Sequence, residues 1–164
     1  VYMRVALVVV MSVFFLGTSC TKDDLCSGET PTTPLLQVEF RDYLDRDALK
    51  PVTDLSINLL DNDTTIVQNG LNESLLSLPL DSEADQSAFY WIKNASDTIN
   101  REVMTVSFFY QRSEQFVNRA CGFKTQYTNL AIDIEINALS WIQDLDLLTP
   151  NLEDEDQIHL IIYH

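Results

Sequence analysis

LAIDIEINA, residues 130–138, decides the fold class because one row of apolar side chains alternates along it with a second row that is polar after Ala131. Alternate side chains of a β-strand point to opposite faces, so one row is expected on a core: Leu130, Ile132, Ile134, Ile136 and Ala138. The stretch VMTVSFFY, residues 103–110, places its larger apolar side chains at every second position in the same way. A helix would need apolar residues three or four positions apart, so both patterns predict β-strands.

Shorter apolar runs separated by turn-forming residues predict further strands. The turn signals include Asn69-Gly70 and residues 94–97. Short strands with such spacing are typical of all-β sandwiches. The sequence therefore predicts an all-β, antiparallel β-sandwich of the immunoglobulin type with about seven to nine strands. The additional predicted strands cover residues 35–40, 55–60, 65–68, 75–80, 87–92 and 157–163.

The segment 140–148 fits two structures. Ser140 and Gln143 have the spacing of a helix capping box. Leu145 and Leu147 fit a strand that pairs with residues 157–163. We favour the strand.

The start of the chain has the pattern of a secretory signal. Arg4 precedes an apolar run over residues 5–17, and small residues lead into Cys20. The run is shorter than the about 20 residues of a membrane-spanning helix. The segment resembles a bacterial lipobox, although Gly17 stands where a leucine is usual. We therefore predict a lipoprotein signal peptide over residues 1–19, with Cys20 lipidated and holding the protein to a lipid bilayer.

Residues 20–34 are interpreted as the lipidated cysteine and a tether, and residues 35–164 as one domain. Lys22-Asp23-Asp24 resembles a signal that some Bacteroidetes lipoproteins use to reach the cell surface. The alternative is a solvated polar linker. The predicted location is the outer membrane, with the domain at the cell surface or facing the periplasm.

The cysteine count agrees with an exported protein. If Cys20 is lipidated, Cys26 and Cys121 remain as an even pair in an oxidising compartment. A disulfide between them would close a loop of about 95 residues. Two free buried thiols, or a metal pair completed by His159 and His164, remain the alternatives.

The charge of the chain argues against binding to nucleic acid. Ten basic and 25 acidic residues give a formal net charge of −15. Such a charge repels phosphate backbones and favours solubility.

No catalytic motif is present in the sequence. The nucleophile elbow, the P-loop, the dinucleotide fingerprint and the zinc-protease motif are all missing. We expect His159 at the surface and His164 to fray. Asp133 and Glu135 form the remaining candidate acid pair, on a face expected to be solvated. The prediction is a protein that is not an enzyme, with no catalytic residues and no cofactor.

Two acidic stretches, residues 61–63 and 153–156, have oxygen ligands that could bind calcium. The first lacks the later ligands of an EF-hand loop, and the second is typical of a solvated hairpin tip. No metal ligands are predicted.

RSEQFVNRACGFK, residues 112–124, resembles the Arg-Ala-Cys-Gly-aromatic segment of a family of small Bacteroidetes lipoproteins of unknown function. Cys26, the Pro-Thr-Thr-Pro stretch at 31–34 and the final strand with His159 are also similar to that family. The resemblance implies a compartment and a fold. By itself, Cys121-Gly122 is typical of a thiol held at a turn.

Two short motifs resemble sites of O-glycosylation in exported Bacteroidetes proteins. They are Asp63-Thr64-Thr65 and Asp97-Thr98-Ile99, with Thr64 and Thr98 as the acceptors. Both lie in predicted loops.

Three classes of function follow. The leading one is a non-enzymatic lipoprotein that acts as a binding or structural accessory module, with an unidentified protein or glycan partner. A calcium-stabilised adhesion or glycan-binding domain is the second, and exposed Tyr43, Tyr127 or Trp141 would favour it. A hydrolase with a carboxylate pair is the third.

Overall fold

The computed structural model describes residues 26–28, 30–60 and 65–164. These residues form nine β-strands and no helix. For this part of the chain, the prediction of an all-β fold is confirmed. The strands are β1 (Leu36–Arg41), β2 (Leu55–Leu59), β3 (Ile66–Leu71), β4 (Leu75–Leu78), β5 (Gln86–Lys93), β6 (Glu102–Asn118), β7 (Gly122–Ile134), β8 (Asp144–Leu147) and β9 (Leu160–Tyr163).

The strands form two sheets that do not close into a barrel. One sheet has the order β4-β1-β9-β8, and the other has the order β3-β2-β5-β6-β7. β1 and β9 run parallel, with Val38 opposite Leu160. An entirely antiparallel arrangement was therefore wrong for this pair. Parallel neighbours need a long connection, and here most of the chain separates the two strands.

One hydrophobic core receives side chains from both sheets. Val38 and Phe40 of β1, Trp91 of β5 and Phe108 of β6 are fully buried in it. The rings of Phe40 and Trp91 meet edge to face, with centroids 6.1 Å apart. Each large apolar side chain contributes about 1.5–3 kcal/mol when fully buried. The alternation seen in the sequence thus places these residues where burial stabilises the fold.

The β2–β3 pair contains a shift of pairing register at Asn69-Gly70, which the sequence predicts as a turn. Asn69 and Gly70 lie inside β3, and the pairing register shifts between Leu55 and Asn58. Gly70 has a positive φ of 65°. Glycine adopts this conformation without strain, so the strand accommodates the extra residue as a bulge.

Residues 140–148 contain a strand and no helix. β8 pairs antiparallel with β9, with Leu145 opposite Ile162. The Ser140 side chain accepts a 2.9 Å hydrogen bond from the Asn137 amide and takes part in a turn before the strand.

His164 is held in place, contrary to the expectation that it frays. Its amide donates to the Arg41 carbonyl at 3.0 Å, and its carbonyl accepts from Lys50 Nζ at 2.7 Å. Its ring also packs edge to face against Phe40 and Trp141. These contacts extend the pairing of β9 beyond Tyr163.

The chain divides into two units. Val1–Thr30 and Phe116–Phe123 form the first, and Pro31–Gln115 with Lys124–His164 form the second. Both sheets and the core belong to the second unit, except for the end of β6 and the start of β7. The boundary of the domain at residue 35 stays a prediction.

Candidate functional site

The turn between β6 and β7 and the two strand ends beside it, residues 116–123, are fixed by a disulfide between Cys26 and Cys121. We call this segment the hairpin tip. The Cα atoms of the two cysteines lie 5.0 Å apart. This is the pairing that the cysteine count favoured over free thiols or a metal pair.

The local sequence explains the turn. The Asn118 side chain accepts hydrogen bonds from the amides of Ala120 and Cys121 at 2.9 and 2.8 Å. Asparagine side chains stabilise turns in this way. Gly122 then has a positive φ of 74°, which allows the chain to enter β7 without strain. Cys121 is therefore presented at a rigid turn.

The hairpin tip exposes two aromatic rings. Phe116 is 57% exposed and Phe123 is 64% exposed. Their centroids lie 5.4 Å apart, in an edge-to-face arrangement. Residues 116–123 contain Arg119 and no acidic residue, in a chain whose net charge is −15. The tip is thus an apolar and weakly basic surface.

Sequence reasoning did not single out Phe116 and Phe123 as a surface feature. The strands were predicted to cover 103–110 and 130–138, whereas β6 extends to Asn118 and β7 runs from Gly122 to Ile134. The expectation that Ile136 and Ala138 face the core was therefore wrong, because both lie beyond the end of β7 and are exposed. Residues 111–116 are all exposed, so their side chains carry no alternation of burial. The signal that was available is the pair of phenylalanines flanking the Cys121-Gly122 turn.

Several predicted sites lie outside the described residues. These are the signal peptide at 1–19, the lipidation site Cys20, the export signal Lys22, Asp23 and Asp24, the acidic stretch 61–63 and the glycosylation candidate Thr64. All of them stay predictions.

Thr98, the second glycosylation candidate, is exposed in the turn between β5 and β6. The Asp97 side chain accepts hydrogen bonds from the amides of Ile99 and Asn100. Its hydrogen bond from the Asn100 side chain, together with these two, lowers the pKa of Asp97. The Thr98 hydroxyl is therefore presented on an ordered turn.

His159 is fully buried, so the prediction of a surface histidine was wrong. The residue lies immediately before β9, beside β1. Its Nδ1 accepts a 3.0 Å hydrogen bond from the Gln37 amide, and its own amide donates to the Gln37 carbonyl at 2.9 Å. Burial lowers the pKa of His159, against a weaker opposing effect of Asp154 and Glu155. The neutral ring serves as an acceptor in the junction of these two strands.

The acidic stretch 153–156 has structural contacts. Glu155 accepts a 2.9 Å hydrogen bond from the Leu35 amide, and Asp154 accepts one from the Asp156 amide. Within the described ranges, no group of three or more His, Cys, Asp or Glu residues is arranged to hold a metal ion.

The candidate acid pair, Asp133 and Glu135, is exposed. Glu135 lines an open cleft of about 440 Å³ together with Glu102 and Trp141. Asp133 does not line this cleft. The structure therefore does not bring the two predicted carboxylates together in one concave site.

Two of the three aromatic residues considered for glycan stacking are buried. Trp141 is 4% exposed and Tyr127 is fully buried, whereas Tyr43 is 42% exposed. The Tyr127 hydroxyl donates to the Leu80 carbonyl at 3.1 Å, and burial raises its pKa to about 12. Tyr127 and Trp141 are core residues, and they offer no stacking surface for a sugar.

No helix in the described part of the chain is long and apolar enough to cross a membrane.

Comparison with protein families relates this architecture to one group. The model of a family of unknown function, DUF6452, matches residues 54–164. The chain belongs to this family. The DUF6452 match covers β2 to β9 and includes the hairpin tip with Cys121, but it does not reach Cys26. No curated protein and no solved structure matches the chain.

Proposed function

We propose that this protein is an outer-membrane lipoprotein of Bacteroidetes that serves as a non-enzymatic binding or structural accessory module. The observation that carries this proposal is the apolar run over residues 5–17, followed by small residues and Cys20. This order is that of a signal peptide cleaved before a cysteine that takes the lipid. Two or more acyl chains on one cysteine supply stable anchoring.

The disulfide supports an exported location. Cys26 and Cys121 are joined, and disulfides persist in oxidising compartments. Lys22-Asp23-Asp24 follows the anchor at once and directs the domain to the cell surface in this proposal. We further infer that the two sheets form a β-sandwich of the immunoglobulin type, because their apolar faces share one core.

The anchor is tested with Cys20→Ala in the native host. The wild type should incorporate labelled fatty acid and sediment with membranes, and Cys20→Ala should lose both properties. Cys121→Ser is the matched control, because it removes a cysteine and its disulfide but leaves the acceptor Cys20 in place. Labelling that persists in Cys20→Ala contradicts the proposal.

We also propose that Thr98 carries an O-linked glycan. Its hydroxyl is exposed in an ordered turn, where a transferase can reach it. Thr98→Ala should lower the intact mass of protein from the native host by the mass of a glycan beyond the substitution itself. Thr105→Ala, an exposed threonine without the motif, is the control. A polypeptide mass free of glycan in the wild type overturns this proposal.

A further inference from the structure

The hairpin tip has an apolar surface that the rest of the described chain leaves uncovered. Phe116 and Phe123 are each more than half exposed, although they touch one another. A cross-strand aromatic pair of this kind contributes to the hairpin, but it leaves the outer faces of both rings in water. Contact with another apolar surface would remove these rings from water and so lower the free energy of the protein.

The charge of the tip differs from that of the whole chain. Acidic residues outnumber basic ones by 25 to 10 overall, whereas residues 116–123 carry Arg119 alone. A positive side chain beside exposed aromatic rings matches a surface with anionic headgroups and apolar tails. The acidic remainder of the chain is repelled by the same surface.

The covalent connections limit where the tip can lie. Five residues lie between Cys20 and Cys26. The six residue-to-residue steps of an extended chain of that length span at most about 20 Å. The disulfide adds a Cα–Cα distance of 5.0 Å to Cys121. If Cys20 carries the lipid, the turn is therefore held within about 25 Å of the bilayer to which the acyl chains belong. A bilayer is thus the apolar phase always within reach of the tip.

We propose that Phe116, Phe123 and Arg119 of the hairpin tip insert into the headgroup region of the bilayer that anchors Cys20. This inference rests on the proposed lipid anchor. The disulfide links Cys26, close to the anchor in sequence, to Cys121 in the hairpin tip, and so keeps the tip close to the bilayer. The tip would orient the attached unit at the membrane surface.

The test uses the full-length lipidated protein in vesicles of phosphatidylethanolamine and phosphatidylglycerol. Phe123→Trp places a reporter at the tip, and the native Trp91 and Trp141 are both buried and provide a constant background. Lipids with brominated acyl chains should quench the tip reporter several-fold more than the background. Phe109→Trp is the control, since Phe109 is exposed on β6 but lies outside the hairpin tip.

A charge reversal at Arg119 provides a second test, read through the same Phe123→Trp reporter. Arg119→Glu should reduce the quenching of the Phe123→Trp reporter at least twofold in these anionic vesicles. Arg101→Glu makes the same change of charge at an exposed position before β6, and it should leave the quenching unchanged. An equal effect of both substitutions overturns the role assigned to Arg119.

The outcomes separate this inference from the proposed function. Mass spectrometry of the same sample reports the lipid on Cys20. If the lipid is present and the tip reporter is not quenched, or is quenched no more than the control, the inference fails and the anchor stands. If Cys20 carries no lipid, the proposed function fails and the inference fails with it. A reporter emission that shifts with protein concentration, without quenching by lipid, indicates contact with a second copy and overturns the inference.

Discussion

His159 takes part in the backbone pairing of β1 and β9 through its side chain. Its Nδ1 accepts from the Gln37 amide, so the proton of the neutral ring belongs on Nε2. Protonation would put a second donor opposite the Gln37 amide inside the protein. The burial of this residue was not predictable from alternation, because all four residues of β9 are buried and the strand has no solvent face.

The pH dependence of stability should reflect this contact. Burial lowers the pKa of His159 in the folded state. As the pH falls, His159 is therefore protonated at a higher pH in the unfolded chain than in the folded protein. The contribution of His159 to the free energy of unfolding is therefore complete above about pH 6.5 and declines below it. His159→Gln keeps a side-chain acceptor and should flatten this decline, which urea unfolding from pH 8 to pH 5 measures.

The charges of Asp154 and Glu155 raise the pKa of His159 and so oppose the larger effect of burial. The difference between the wild-type and His159→Gln curves isolates the histidine. Parallel curves across this range contradict a buried, neutral His159.

Asn118 should control the order of the hairpin tip. Asn118→Ala removes the acceptor of the Ala120 and Cys121 amides and should destabilise the turn by about 1 kcal/mol. Hydrogen exchange of these two amides should become faster, while Gln115→Ala, at an exposed position on the same strand, leaves them unchanged. Unaltered exchange in Asn118→Ala shows that the disulfide alone fixes the turn.

The strands could be predicted from the sequence where one face is buried and the other is exposed to solvent. β6 illustrates both the success and its limit. The residues from Met104 to Tyr110 alternate and bury one face, but residues 111–116 are exposed throughout. Backbone pairing with β7 continues the strand there, and backbone pairing leaves no mark on residue choice. β7 begins well before its alternating part at residue 130, and Thr125 and Tyr127 are buried in that earlier part. Because Thr125 is polar, the sequence shows no apolar alternation there.

Neighbouring phenylalanines on β6 test the assignment of its faces. Phe108 is fully buried and Phe109 is 43% exposed. Phe108→Ala should lower the free energy of unfolding by about 3–5 kcal/mol, because it leaves a cavity in the core. Phe109→Ala should cost less than about 1 kcal/mol. Chemical denaturation measures both, and equal losses would contradict the face assignment.

At the scale of the whole molecule, a disulfide and two sheets lie along one chain, and the proposed lipid anchor precedes them. The all-β character and the cysteine pairing could be predicted from the sequence, because alternation indicates strands and the cysteine count leaves one even pair. The exposed aromatic pair of the tip did not follow, because its position depends on where a long hairpin turns. The parallel β1–β9 pair depends equally on contacts between distant parts of the chain.

The disulfide should contribute to stability as well as position. In the lipidated chain, no thiol should react after denaturation without reductant, because Cys20 is a thioether and the other two cysteines are paired. Cys121→Ser should lower the free energy of unfolding by about 2–5 kcal/mol. The double substitution of Cys26 and Cys121 by serine should cost about the same as the single one, since either change breaks the same bond. Two reactive thiols in the wild type would contradict the pairing.

The central claim is a protein anchored through Cys20, and the intact mass of the membrane-extracted protein tests it most directly. We predict a chain that begins at Cys20, carries a diacylglycerol thioether and is two hydrogen atoms lighter than its reduced form. A mass that retains residues 1–19, or a chain that begins at Cys20 without any acyl group, would contradict the account.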